Sequence, residues 1–188
     1  AITVAQLNEL KKLNQDEKQR IFVGFNREFS PHISKMRSYF ETDSSSKIML
    51  LEMNAGHLPS DHWTQDPFIG GGRLIGETIH YISLAQYISK SDIKDVFVES
   101  IDSGNDPIDS FVLTLKFTNG DLATIIYYSN GSSKYKKESI KCIGGGKVFE
   151  VDNFKSLKGW GAGVSVSKKT FRQEKGQDEC FRNFVDHV

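Results

Sequence analysis

Residues 110–128 read Ser-Phe-Val-Leu-Thr-Leu-Lys-Phe-Thr-Asn-Gly-Asp-Leu-Ala-Thr-Ile-Ile-Tyr-Tyr, and this stretch decides the fold class. Ser110 to Phe117 and Leu122 to Tyr128 are strand candidates rich in β-branched and aromatic residues, and Asn119-Gly120 between them is a hairpin signal. Val96 to Ile101 before this pair, and Glu138 to Ile143 and Lys147 to Val151 after it, have the same character. Asn105-Asp106-Pro107, Asn130-Gly131 and Gly144-Gly145-Gly146 punctuate the series. An antiparallel meander is therefore expected from residue 94 onward. A basic loop around Trp160, an alternating Val164 and Val166 run and a short helix with Phe181, Phe184, Val185 and Val188 on one face should complete it.

The half before it reads differently. Thr3-x-x-Gln6 is a capping box, and Val4, Leu7, Leu10 and Leu13 form the apolar stripe of a helix that ends in a polar Asn-Gln-Asp-Glu-Lys segment. Ile21 to Phe25 is an apolar run of strand length. Ser30-Pro31 then opens a second helix to about Phe40. Lys47 to Ala55 is a further strand, and Gly56 to Gly72 is a long loop. A helix from about Arg73 to Ile88 follows, with a wide apolar face. Segregated helices and strands make this α+β: one domain over residues 1–188, with an open, predominantly antiparallel β-sheet and helices packed on one face.

Composition excludes several partners. The 24 basic and 24 acidic residues cancel, so neither nucleic acid nor an anionic membrane is indicated. No apolar stretch approaches the roughly 20 residues that span a bilayer, and the N-terminus lacks a signal-peptide layout. A soluble, cytoplasmic protein is expected. Cys142 and Cys180, in no C-x-x-C arrangement, are expected as reduced thiols.

The chemistry concentrates in residues 66–80, Asp-Pro-Phe-Ile-Gly-Gly-Gly-Arg-Leu-Ile-Gly-Glu-Thr-Ile-His. Three consecutive glycines let backbone approach a ligand and adopt positive φ, and Glu77 and His80, three apart, would share one face of a helix. Gly71 to Thr78 falls one residue short of a phosphate-binding loop, but Glu77 stands where lysine would neutralise phosphate, which repels that ligand. Gly70-x-Gly72-x-x-x-Gly76 echoes a dinucleotide fingerprint without the preceding buried strand. His57, His62, Asp61 and Asp66 have no spacing that fixes a metal geometry, so no metal site is expected. Arg73, a cation in a helix's first turn, opposes the macrodipole and suggests either an anionic or hydroxyl-rich ligand or a solvated side chain of little energetic consequence. Trp63 suits either the core or a platform for a sugar ring.

Three segments together resemble a known family. They are Val23-Gly24-Phe25-Asn26-Arg27-x-Phe29-Ser30-Pro31, Trp63-Thr64-Gln65-Asp66-Pro67 and Gly70-Gly71-Gly72-Arg73-Leu74-Ile75-Gly76-Glu77-Thr78-Ile79-His80. In this order, before a β-rich half, they are similar to the carboxy-terminal domain of the glucose-fructose oxidoreductase, inositol dehydrogenase and rhizopine catabolism (Gfo/Idh/MocA) family. The resemblance implies a substrate-binding and dimerising domain of an NAD(P)-dependent sugar or sugar-derivative dehydrogenase. The cofactor, NAD or NADP, would be bound mainly by an N-terminal Rossmann domain absent from this chain. It implies a catalytic role for His80, which in the family works with a lysine expected just upstream of Ala1. Asn26, Arg27, Trp63, Asp66 and Arg73 would contact substrate. Gly76 replaces a frequent aspartate, Ser83 another, and Glu77 is a candidate substitute. A homodimer or homotetramer through the sheet face is implied.

Two other classes are open on the sequence. One is a non-catalytic carbohydrate-binding or assembly module of the same fold. The other is a hydrolase using Glu77 and Asp66, which would require a set carboxylate separation.

Overall fold

The computed structural model describes residues 1–13, 21–101, 109–161 and 163–186. The polar segment after Leu13, the Asn105-Asp106-Pro107 turn and Val188 lie outside them. Helix α1 (Val4–Leu13) starts at the expected capping box: Gln6 N–H donates to Thr3 Oγ1 and Thr3 N–H to Gln6 Oε1, both at 3.2 Å. Its stripe of Val4, Leu7, Leu10 and Leu13 stays exposed among the described residues. Residues 21–25 form no strand. Phe22 instead sets its ring against Phe29 and Phe184, and Phe25 meets His80. A 3₁₀ turn (Asn26–Phe29) leads into α2 (Pro31–Ser38).

Strand β1 (Ile48–Asn54) follows, then a loop with a second 3₁₀ turn (Trp63–Gln65). The expected helix over 73–88 is two, α3 (Gly72–Gly76) and α4 (Ile79–Ser89). The break has a local cause. The N–H groups of Glu77 and Thr78 and the Thr78 hydroxyl all donate to the Arg73 carbonyl, which closes α3, and α4 restarts on the carbonyls of Glu77 and Thr78.

The remaining chain is sheet: β2 (Ile93–Ser100), β3 (Phe111–Phe117), β4 (Leu122–Tyr128), β5 (Glu138–Gly144), β6 (Lys147–Asp152), β7 (Ser156–Gly161) and β8 (Val164–Lys169), closed by α5 (Gln177–Asp186). The sheet order is β2-β3-β4-β1-β5-β6-β7-β8. The expected simple meander is thus interrupted: β1 inserts between β4 and β5, parallel to the first and antiparallel to the second. The Lys47 carbonyl and the Ala55 amide at its ends bond Leu122 and Tyr128 on the β4 side, and the Asn54 amide bonds the Lys137 carbonyl on the β5 side, so both its edges are satisfied inside the sheet. The basic loop expected around Trp160 is β7. Gly159 hides it from a propensity reading, yet glycine is required there because a Cβ would enter the Phe149 ring.

Alternation along the strands puts one face in the core. Met49, Leu51 and Met53 of β1, Leu113 and Leu115 of β3, Ala123, Ile125 and Tyr127 of β4 and Ile140 and Cys142 of β5 pack with Ile33 and Met36 of α2 and Tyr81, Leu84, Ala85 and Ile88 of α4. Full burial of a leucine-sized side chain is worth about 1.5–3 kcal/mol, so α4 is held by its apolar stripe. The opposite face leaves Ile48, Leu50, Val112, Leu122 and Ile126 exposed. Cys142 and Cys180 are free and buried. Among the described residues no helix is long and apolar enough to cross a membrane.

Candidate active site

The N-terminal end of α4 meets the C-terminal ends of β1 and β4 and the start of β5, and there the polar groups gather. Two clusters flank His80. In the first, Glu138 opens β5 with its carboxylate fully buried. Its Oε1 accepts from Arg27 Nε at 3.1 Å, Arg27 Nη2 at 2.9 Å and the Tyr81 hydroxyl at 2.5 Å. Its Oε2 takes the Lys175 ammonium at 2.5 Å and Gln173 Nε2 at 3.4 Å. Burial alone would raise the Glu138 carboxyl, but Arg27, Lys175 and Tyr81 outweigh it and hold it below the ordinary range. Burial also raises the Tyr81 phenol well above its ordinary value, so it remains a donor. The Arg27 guanidinium lies 4.8 Å from the Tyr81 ring centre.

The second cluster is a chain. Arg73 Nη2 donates to the Gly56 carbonyl at 2.8 Å, its Nη1 donates to the Tyr127 hydroxyl at 3.2 Å, and that hydroxyl donates to Glu77 Oε2. Burial first, and the bond to Glu77 second, push the Tyr127 phenol up. Arg73 is only 1% exposed, so its guanidinium braces Tyr127 from inside rather than facing solvent.

His80 stands between these clusters, half-buried, its ring edge-on to Phe25 at 5.6 Å. Burial lowers its pKa first, then the positive charge of Arg27, with Lys175 adding to it and Glu77 and Glu138 opposing. This direction favours the neutral imidazole, the form that accepts a proton. Its Nδ1 is buried and has no hydrogen-bond partner among the described residues.

The structure sorts the other candidates. The Glu77–His80 pair is not on one continuous helical face, because α3 ends at Gly76 and α4 starts only at Ile79; the Glu77 carbonyl accepts the His80 N–H at 3.2 Å. Asn26 spends its amide on the Lys175 carbonyl at 2.9 Å and so anchors the first cluster. Asp66 caps its own loop, Oδ1 accepting from Phe68 N at 2.7 Å and Ile69 N at 3.1 Å. Trp63 is 61% exposed beside exposed Phe68 and Ile69. His57 is exposed, and His62 bonds the Thr64 hydroxyl through Nδ1 at 2.8 Å.

The glycines serve the protein's own packing. Gly71 and Gly72 take φ of 72° and 71°, as the sequence suggests, while a side chain at Gly70 would strike the backbone of Trp63 and Thr64. A Cβ at Gly76 would come within 2.6 Å of the Gly70 carbonyl oxygen. No carboxylate can stand at position 76 in this backbone.

Glu138, Tyr81, Lys175 and Tyr127 escape a reading of the sequence alone. Glu138 carries one usable signal: it has the parity of Ile140 and Cys142, which places a carboxylate on the core face, where an unpaired charge is prohibitive. Lys175 carries none.

Residues 34–147 match the GFO/IDH/MocA C-terminal domain family. An uncharacterized oxidoreductase, YrbE, of Bacillus subtilis (strain 168) is 30% identical over 109 residues, covering 55% of this chain and 32% of the relative. A myo-inositol 2-dehydrogenase of Thermotoga maritima is 28% identical over 112 residues, covering 56% and 33%. The match thus spans about a third of the length of these curated relatives. An inositol dehydrogenase homolog from Azotobacter vinelandii, solved with NAD+, superposes with a TM-score of 0.72 at 15% identity over 89% of this chain and 48% of that one, which shows a shared fold. With the matched segment running from α2 through the site-forming strands, the chain belongs to the Gfo/Idh/MocA family of oxidoreductases, as a C-terminal domain of that family.

Proposed function

We propose that this chain is the substrate-binding domain of an NAD(P)-dependent dehydrogenase acting on a hydroxyl-rich, sugar-like small molecule, with His80 as the proton-handling residue. The observation that supports this reading is a half-buried imidazole near both the Arg27–Glu138–Lys175 cluster and the Glu77 carboxylate, its protonation disfavoured first by burial. Oxidation of an alcohol removes a hydride from carbon and a proton from oxygen. His80 would accept that proton at the oxygen. Arg27 and Lys175, cations at the same place, would favour the negative charge that develops there. Glu77, held by Tyr127, would steady the imidazolium once formed.

The described residues do not fit a dinucleotide. The glycine turn that would have to cradle a pyrophosphate is packed on its own loop at Gly70 and Gly76. NAD or NADP, the hydride acceptor of such a reaction, is accordingly assigned to the part of the parent protein outside the matched segment, and Asn26, Asp66 and Arg73 are assigned to holding the site's walls rather than to substrate. Arg27 and exposed Trp63 remain its candidate substrate contacts. The uncovered apolar sheet face of Ile48, Leu50, Val112, Leu122 and Ile126 suits association with a second copy.

In the full-length parent, His80→Asn should cut kcat at least about 100-fold with cofactor affinity unchanged, as expected for loss of a general base. Unchanged turnover would remove His80 from the reaction. It would then favour the second reading, a carbohydrate-binding or assembly module, which the uncovered sheet face already fits.

A further inference from the structure

Resting on His80 as the proton-handling group, we propose that Glu138 and Lys175 are positioning residues for it: one buried carboxylate holds two cations, Arg27 and Lys175, and presents the imidazole with a cluster carrying one excess positive charge.

The construction is specific. Glu138 is fully buried, and Arg27 and Lys175 approach its two oxygens separately, one from the 3₁₀ turn before α2 and the other from the segment before α5. Lys175 is fixed at both ends. Its carbonyl is held by Asn26 Nδ2, and Gly176, at φ 83°, is wedged so tightly on the backbone of residues 26–30 that a Cβ would lie 2.5 Å from the Phe29 carbonyl carbon. Tyr81, the residue after His80 on α4, donates its hydroxyl proton to the same carboxylate and lies 3.0 Å from Met53 Sδ, which ties the imidazole's helix to the cluster. A buried ion pair made for stability needs one cation per anion, since each further charge adds a desolvation cost. The second cation leaves the cluster with an excess positive charge that acts on any titratable neighbour, and His80 is within electrostatic reach of both cations. Among the described residues, the charged groups acting on His80 are Arg27 and Lys175, which disfavour its protonation, and Glu138 and Glu77, which favour it; the excess positive charge belongs to the Arg27–Glu138–Lys175 cluster, and Glu77, outside that cluster, opposes it.

The consequence is a defined charge balance. A substrate hydroxyl that passes its proton to His80 becomes alkoxide-like, and the excess positive charge favours that state. It also adds to burial in disfavouring protonation of the imidazole before the transfer.

The test needs no substrate. The His80 Cε1–H resonance of the 188-residue chain is titrated by NMR in the wild type and in three variants. In Lys175→Gln the cluster becomes neutral, and the midpoint should rise by about 0.3 pH unit, the size expected for removing one partly screened charge. In Glu138→Gln the imidazole faces two cations opposed by Glu77 alone, and the midpoint should fall. The double variant restores the original excess of one and should return the midpoint toward wild type. A midpoint that does not rise in Lys175→Gln overturns the proposal, whether or not Glu138→Gln folds. A double variant that tracks Glu138→Gln instead of recovering overturns it as well. If the titrations behave as expected while His80→Asn leaves turnover intact, the charge balance stands and the dehydrogenase reading falls.

Discussion

Helix α4 is pinned at both ends by a buried carboxylate, and the two ends differ in one respect. At its C-terminus, Ser89 donates to Asp121 at 2.8 Å; Asp121 pairs with Lys47 at 3.2 Å and accepts the Lys47 N–H at 2.7 Å, and Asn119 Nδ2 adds a bond at 3.1 Å. One cation meets one anion, and neutral donors supply the rest. At its N-terminus, Tyr81 donates to Glu138, but there two cations share one anion beside an imidazole. Burial and hydrogen bonding are alike at the two ends. The lesson is that a buried ion pair by itself marks architecture, whereas a charge imbalance next to a titratable ring marks a candidate site.

The largest effect should come from breaking the balanced end. Asp121→Ala leaves Lys47 buried without its counter-charge and frees Ser89, so unfolding in urea should show a loss of about 3–5 kcal/mol. The His80 titration should not move. A shift there would mean that the two ends are coupled through α4 and the contrast is false.

A middle effect belongs to the glycine beside the site. Gly76→Asp tests whether a family-like acid can be restored, and the 2.6 Å approach of the Gly70 carbonyl says that it cannot. The forced shift should cost about 1–3 kcal/mol and give no gain in turnover in the parent protein. A stable, more active variant would show that the 70–76 turn yields more easily than its packing implies.

The smallest effect is in pH. His80 and His32 both have folded values below the ordinary one, each first through burial. The unfolded chain therefore binds their protons more tightly. Their contribution to stability is fully present above the unfolded value of about 6.5 and is lost as pH falls through the folded values. Thermal unfolding followed from pH 8 to 5 should show a falling Tm. The fall should be shallower in His80→Asn and keep its slope in Asp121→Ala. Equal slopes in wild type and His80→Asn would mean that the ring is not desolvated as placed.

What could be read from the chain was local. The Thr3–Gln6 capping box, the strands on either side of Asn119-Gly120 and the positive φ of Gly71 and Gly72 all follow from interactions spanning a few residues. Gly159 misled because its reason, the Phe149 ring, lies on the neighbouring strand. The α3–α4 break misled because Thr78 turns its hydroxyl back to the Arg73 carbonyl, a bond that an apolar periodicity does not register. Within the site, His80 and Arg27 were legible as residue types in a recognisable setting. Arg73 was legible as a cation but not as a buried one, since its partners Tyr127 and Gly56 come from other segments.

The sequence by itself determined the α+β class, the strand segments of the second half, the glycine turn and the family resemblance, because each rests on short-range periodicity, turn chemistry or a contiguous motif. Only the tertiary structure decided that β1 lies between β4 and β5, and that Glu138 and Lys175 meet Arg27 beside His80. Arg27 and Glu138 are 111 positions apart in the chain. Their meeting is fixed by burial of the shared core and by the need of a buried carboxylate for donors, which no local pattern encodes.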